Sequence, residues 1–96
     1  NRVALGYAYA VTGHRDEALK VLQQMQTPEV GQTYVSPNQI ARVYSGLGDK
    51  EQAFLWLQKA FEGRDDGLTR MKVDPFMDPI RSDPRFADMM KKVGLE

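Results

Sequence analysis

Apolar side chains recur along this chain with the spacing of an α-helix. Within residues 36–61, two stripes at i, i+3, i+4 and i+7 predict two amphipathic helices that are separated by a break at Gly48-Asp49. The stripes are Ile40, Val43, Tyr44 and Leu47, then Ala53, Trp56, Leu57 and Ala60. Two such helices one turn apart are expected to pack antiparallel, as a helical hairpin.

Capping residues give the expected boundaries of this hairpin. Ser36 is a favourable N-cap and Pro37 suits the first helical position, where no N–H partner is needed. Gly48 can adopt positive φ at a helix end, and Asp49 with Gln52 three residues later forms a capping box. We therefore expect one helix to start at Pro37 and the next directly after Asp49.

The preceding part of the chain carries the same pattern. Two further stripes predict two more helices, the first ending at Gly13 and the second before Pro28. They are Leu5, Ala8, Tyr9 and Thr12, then Ala18, Val21, Leu22 and Met25. Residues 27–35 contain Pro and Gly without periodicity, and are predicted to form a connector.

The two predicted hairpins are copies of each other. A shift of 35 residues pairs Leu5 with Ile40, Tyr9 with Tyr44, Gly13 with Gly48, Ala18 with Ala53 and Leu22 with Leu57. Periods in this range are typical of helical solenoids, in which each hairpin stacks on the next. We expect the small residues Gly6, Ala41, Ala18 and Ala53 to lie where helices cross closely, because larger side chains would separate the backbones.

These residues resemble the tetratricopeptide repeat (TPR), whose pattern is an aromatic, Leu-Gly, Tyr, then Ala and a second aromatic. The matching residues are Leu5, Gly6, Tyr9, Gly13, Ala18 and Leu22 in one copy, and Ile40, Ala41, Tyr44, Gly48, Ala53 and Leu57 in the other. The sequence departs from the pattern at three places: Arg2 and Pro37 stand in place of the leading Trp, Leu22 and Leu57 stand in place of the later aromatic, and the closing Pro is missing. The resemblance implies an all-α, right-handed α-α superhelix with hairpins at residues 1–26 and 36–62.

The last third of the chain is expected to be a degenerate third unit, residues 66–94, of one domain spanning 1–96. After a short helix carrying Leu68 and Met71, three Asp-Pro steps each predict a turn and a helix start. The steps are Asp74-Pro75, Asp78-Pro79 and Asp83-Pro84. A final capping helix, Pro84 to Val93, is expected to cover the apolar side of the second hairpin, including Trp56 and Phe61.

This tail carries a narrower resemblance. The runs GLGDKEQAFLWLQKAF and KVDPFMDPIRSDPRF are similar to the closing segment of TPR regions in multidomain bacterial signalling proteins, namely winged-helix transcriptional regulators and Ser/Thr kinases. The resemblance implies a module at the end of a longer, cytoplasmic regulatory protein. A first residue that is Asn1 rather than Met agrees with a piece of a longer chain.

Composition and charge narrow the functional classes. The 96 residues hold 13 basic and 13 acidic side chains without long runs, which argues against nucleic acid or an anionic membrane as partner. With no cysteine, thiol catalysis and thiolate metal sites are excluded. The sequence contains no run of 18 apolar residues, so it predicts no membrane-spanning helix.

Few residues suggest catalysis. His14 stands alone in a turn, and Asp74, Asp78 and Asp83 lack the Gly-centred loop and closing Glu of a calcium site. Helix capping accounts for these three aspartates. No phosphate-binding loop or nucleophile motif occurs. We predict no enzyme activity, no cofactor and no metal.

The functional prediction is protein–protein interaction. The resemblance implies that the first helix of each hairpin lines a concave face, where a peptide or helix of a partner would bind. The residues assigned to it are Val3, Tyr7, Ala10, Asn38, Arg42 and Ser45. Arg42 would offer charge-assisted hydrogen bonds and Tyr7 a flat apolar contact. The alternative is that this face is merely solvated.

A competing prediction gives the chain a structural role. It would cap an array of upstream repeats, or associate with itself through the N-terminal edge of the first helix. The residues with which some chaperone-binding TPR proteins clamp a C-terminal carboxylate are not found here, so that ligand is not expected.

Overall fold

The chain is helical wherever its structure is described. The computed structural model describes residues 2–26, 36–64 and 66–94, and within them there is no strand. The α-helices are α1 (Arg2–Val11), α2 (Arg15–Gln26), α3 (Pro37–Leu47), α4 (Lys50–Glu62) and α5 (Pro84–Val93). Two 3₁₀ helices, Asp66–Arg70 and Pro75–Ile80, lie between α4 and α5. The all-α prediction is confirmed for these ranges, whereas the predicted connector at 27–35 lies outside them.

The predicted caps account for the helix boundaries. The Asp49 carboxylate accepts a hydrogen bond from the Gln52 N–H at 3.2 Å, which satisfies a donor at the start of α4. Gly13 and Gly48 end α1 and α3 with φ of 87° and 74°, a conformation that side chains disfavour. The predicted starts of α3 and α4 are therefore confirmed.

Helices α1 and α2 pack together, α3 packs on α4, and α1 also packs along α3. Gly6 lies where three of these helices meet: a Cβ built there would be 3.0 Å from Val43 Cγ2 and 3.1 Å from Val21 Cγ1. The small residues Ala18, Ala41 and Ala53 are fully buried. Close packing at these positions was expected from the sequence.

The buried side chains form two clusters that share neighbours. One lies between the first hairpin and α3, and consists of Val3, Val21, Leu22, Met25, Ile40 and Val43. The other joins the second hairpin to the tail, and its largest members are Phe54, Leu57, Met71, Met77, Ile80 and Phe86. Tyr44 and Trp56 pack against both clusters, and so connect them.

The core stripe predicted for α1 is confirmed at Tyr9, which is half-buried against the core, and is wrong at its other positions. Leu5 is 49% exposed and Ala8 is also exposed, whereas Val3 and Gly6 are buried. Nearly every residue of α1 is apolar or small, so periodicity alone does not select its buried side. The buried side of α1 is selected by its packing against α2 and α3, and Leu5 and Ala8 face away from both helices.

Two expectations about the tail are also corrected. Phe61 is 37% exposed, because α5 packs with Phe86 and Met89 beside Phe54 rather than over Phe61. The Asp78-Pro79 step starts no helix and lies inside the second 3₁₀ helix, whereas Asp74 and Asp83 do act as N-caps. Pro79 is the fifth of the six residues of this helix, so the proline removes a single intrahelical N–H donor close to the helix end.

Candidate functional site

The residues assigned to partner binding form one stripe on α1 and one on α3, and we call these two stripes together the inner face. It comprises Val3, Tyr7 and Ala10 of α1, and Asn38, Arg42 and Ser45 of α3. Asn38, Ser45 and Val3 are buried, and the other three are half-buried. The inner face is therefore covered, and what covers part of it is the chain's own tail.

Residues 74–76, which we call the docked segment, cross the inner face. The Arg42 Nε atom lies 2.8 Å from Asp74 Oδ2, with side-chain exposures of 20% and 6%. An ion pair this well shielded from water is stronger than one on an open surface, and neither charge can lose its partner cheaply. Arg42 and Asp74 thus fix the start of the docked segment against α3.

Phe76 fills the space beyond this ion pair. Its ring lies against that of Tyr7, with centroids 4.7 Å apart and planes tilted by 50°. The Arg42 guanidinium carbon is 5.6 Å from the Phe76 ring centroid. The buried Ser45 hydroxyl donates a hydrogen bond of 2.7 Å to the Phe76 carbonyl. Three inner-face side chains therefore contact a single residue, through its ring and its backbone.

The docked segment is held in shape from its other side. Asp74 Oδ1 accepts a hydrogen bond from the Phe76 N–H at 2.9 Å, so this carboxylate both caps the 3₁₀ helix and pairs with Arg42. The Arg81 guanidinium donates to the carbonyls of Lys72 and Asp74, at 2.5 and 2.7 Å. Val73, between them, is 78% exposed. The turn is thus preorganised by contacts that do not involve α1 or α3.

The electrostatics of the inner face favour a neutral Tyr7. Burial raises the pKa of the Tyr7 phenol above its ordinary value, and the nearby negative charges of Asp78 and Asp74 raise this pKa further. The phenol therefore remains protonated well above neutral pH. It presents a ring and an uncharged hydroxyl beside the acidic docked segment.

The other inner-face residues pack between the helices. Val3 belongs to the core cluster with Ile40 and Val43. A Cβ built on Gly46 would lie 3.0 Å from Ala10 Cβ and 2.9 Å from Tyr7 Cδ2, so α1 and α3 approach closely here. In this conformation Val3 and Ala10 thus serve helix packing. Their assignment to partner binding, like that of Asn38, stays a prediction.

Sequence reasoning missed three residues of this site. The sequence pattern predicts a capping role for Asp74, and it predicts no role for Phe76 or Arg81. No periodic pattern connects residues 42 and 74, which are far apart in sequence. Gly46 was also missed, although a Gly inside a helix costs about 1 kcal/mol relative to Ala and often marks a close approach.

The other residues considered for catalysis or metal binding make local hydrogen bonds and ion pairs. His14 is exposed, and its Nδ1 atom lies 2.9 Å from the Thr12 hydroxyl in the turn between α1 and α2. Asp78 pairs with Arg81, and Asp83 pairs with Arg85. Across residues 2–26, 36–64 and 66–94, no group of three or more His, Cys, Asp or Glu side chains is arranged to hold a metal ion.

A shallow cleft lies between α4 and α5. Its volume is about 200 Å³, and Phe54, Arg85, Met89 and Lys92 are among the residues that line it. Arg85 is engaged by both Asp83 and Glu51, each at 3.0 Å. Pockets for small molecules are usually roughly 300 to 1,000 Å³. The cleft is therefore a weaker candidate than the inner face.

Comparison with known proteins gave no match: no protein-family model, no curated protein and no solved structure matches the chain. None of the helices in the described ranges is both long and apolar enough to cross a membrane.

Proposed function

We propose that this chain is a TPR-like protein-interaction module, and that its inner face binds a peptide segment of a partner protein. By the resemblance of its tail, it would belong to a larger bacterial regulatory protein. The proposal includes no catalytic step and no cofactor.

The internal repeat supports the TPR-like part of this proposal. Positions that are 35 residues apart and face the partner helix of their own hairpin have the same environment. Ala18 and Ala53 are both fully buried, and the exposed fractions of Leu22 and Leu57 are 1% and 0%. The glycines that end α1 and α3 both adopt positive φ. A repeat whose small residues and turn residues serve the same purpose in both copies is typical of stacked helical hairpins.

The docked segment is the observation that carries the binding proposal. Peptide recognition combines a charge partner, an apolar anchor and hydrogen bonds to the main chain. Arg42, Tyr7 and Ser45 supply one of each to residues 74–76. The inner face therefore has the chemistry of a peptide site, and uses it on a segment of its own chain.

A selection experiment tests this proposal. A library of random peptides is displayed against the full 96-residue chain carrying Phe76→Ala, so that the docked segment has no ring to compete for Tyr7. The affinity of selected peptides is then measured with Tyr7→Ala or Tyr9→Ala added. Tyr9 is a matched control, because it is also half-buried on α1 but lies against His14, with ring centroids 5.9 Å apart. We expect Tyr7→Ala alone to weaken binding, by tenfold or more for a central aromatic contact worth about 1.4 kcal/mol. Equal affinities would refute the assignment.

A second candidate function is that of a structural cap or self-association region. Leu5 and Ala8 are exposed, whereas their equivalents at a shift of 35 residues, Ile40 and Val43, are buried against the preceding hairpin. An upstream hairpin or a second copy of the chain would cover α1 in the same way. Light scattering distinguishes this candidate: it predicts concentration-dependent dimers that Leu5→Glu abolishes, and a monomer at all concentrations would oppose self-association.

A further inference from the structure

We propose that the docked segment is an internal competitor for the inner face, and that the partner peptide carries an acidic residue two positions before an aromatic one. Binding would require residues 74–76 to leave the site. This inference rests on the proposed function, and it adds the chemistry of the ligand and a means of regulation.

The contacts of the docked segment specify what a ligand needs. The position equivalent to Asp74 must be anionic, because it pairs with Arg42 at 2.8 Å. The position equivalent to Phe76 must present a ring to Tyr7 and a carbonyl to Ser45. The residue between them is unrestricted, since Pro75 is exposed. The expected motif is therefore acidic, any residue, aromatic.

The spacing of two residues has its own cause. Asp74 Oδ1 accepts the Phe76 N–H, and this closes a local turn that orients the carboxylate and the ring toward the same side. A peptide with Asp followed two residues later by Phe can form the same turn by itself. Such a ligand would lose less conformational entropy on binding than an unstructured one.

The residues that flank the docked segment limit how much of the chain can leave the inner face. Met71 and Met77, on either side of the docked segment, are fully buried and anchor it to the core. Between them, Val73 is 78% exposed, and the carbonyls of Lys72 and Asp74 accept hydrogen bonds from the Arg81 side chain. The tethered segment therefore competes at high effective concentration, of millimolar order for a short tether. A free ligand binds only the fraction of molecules in which the site is open.

The test uses a peptide with the sequence of residues 72–81, KVDPFMDPIR, as a fluorescent probe for the full chain. Its affinity is measured by anisotropy for the wild type, for Phe76→Ala and for Val73→Ala, an exposed neighbour that serves as the control. We expect Phe76→Ala to bind the probe at least about tenfold more tightly than the other two, as for a site that is closed more than 90% of the time. A probe with alanine at both motif positions should not bind.

A second variant guards against misfolding of the first. Arg81→Gln removes the donors to the Lys72 and Asp74 carbonyls without altering α1 or α3. It should also tighten probe binding, and Arg42→Gln added to it should abolish the gain. Circular dichroism checks that each variant retains the helical content of the wild type.

The outcomes separate this inference from the proposed function. Equal probe affinity for the wild type and both opened variants would overturn internal competition. If the opened variants bind selected peptides that lack the acidic and aromatic pair, the ligand chemistry is wrong while the proposed function stands. If they bind no peptide from any source, both fail. If the wild-type chain forms dimers that the probe dissociates, the occupant is the docked segment of a second copy, and a separate partner is refuted.

Discussion

The two hairpins carry the same sequence pattern but are covered to different extents. Ile40 is 4% exposed on α3, and Leu5, its equivalent on α1, is 49% exposed. Toward the other end of the molecule, Phe54 of α4 is buried beside α5, whereas its equivalent on α2, Leu19, is exposed. By contrast Ala18 and Ala53, which face the partner helix within each hairpin, are both fully buried.

This difference separates two kinds of information in the sequence. Contacts within a hairpin depend on residues close in the chain, so both copies realise them in the same way. Contacts between hairpins depend on which structural element packs against each hairpin. The second hairpin has neighbours on both sides, namely the first hairpin and the tail, and the described part of the chain supplies the first hairpin with a neighbour only on the side of α3.

The largest effect is expected from the pair that differs most in burial. Ile40→Ala should lower the free energy of unfolding by about 2 to 5 kcal/mol, because it opens a cavity between α3 and the first hairpin. Leu5→Ala should change it by less than about 1 kcal/mol. Urea unfolding followed by circular dichroism measures both. Equal losses would mean that α1 is covered in solution.

A second prediction concerns Arg42, which is equivalent to Tyr7 in the repeat. Arg42→Ala leaves the Asp74 carboxylate shielded and unpaired, and should cost about 2 to 3 kcal/mol, less than a fully buried pair because Arg42 is 20% exposed. Asp74→Asn added to Arg42→Ala should recover part of that loss. A double-mutant cycle gives the coupling energy. Strict additivity would show that the two charges do not interact.

Sequence information was sufficient for the helices and not for the inner face. The starts of α3 and α4 follow from Pro37 and from the Asp49 carboxylate, which are local signals. The position of Phe76 on the inner face could not be predicted, because it depends on contacts between residues that are far apart in the sequence. The hydrogen bond from Ser45 to the Phe76 carbonyl, for example, joins residues 31 positions apart. The buried side of α1 was also missed, since a helix of small and apolar residues has no unique apolar stripe.

Gly46 offers a smaller and more local test. Its repeat equivalent, Val11, is exposed, whereas a methyl group on Gly46 would be 2.9 Å from Tyr7 and 3.0 Å from Ala10. Overpacking of this kind costs about 1 to 3 kcal/mol, and up to about 1 kcal/mol of helix propensity offsets it. We expect Gly46→Ala to destabilise the fold by about 1 kcal/mol, and Ala10→Gly to relieve the clash at Cβ. A more stable Gly46→Ala variant would contradict the close approach.

The smallest predicted effect depends on pH and is confined to the tail. Hydrogen bonds from the Arg85 side chain and N–H lower the pKa of Asp83 from 3.8 to about 2. Because the folded state holds this carboxylate charged, its stabilisation is present above about pH 4 and is lost as the pH falls toward 2. Hydrogen exchange should show α5 opening first in acid. Asp83→Asn, which keeps a capping side chain, should lack this acid-dependent loss between pH 4 and 2.

The occupancy of the inner face can be measured directly by nuclear magnetic resonance on the wild-type chain. With ring centroids 4.7 Å apart, the aromatic protons of Tyr7 and Phe76 should give a strong nuclear Overhauser effect at neutral pH. An unoccupied inner face would give no cross-peak between these rings. It would also remove the basis for treating residues 74–76 as a bound segment.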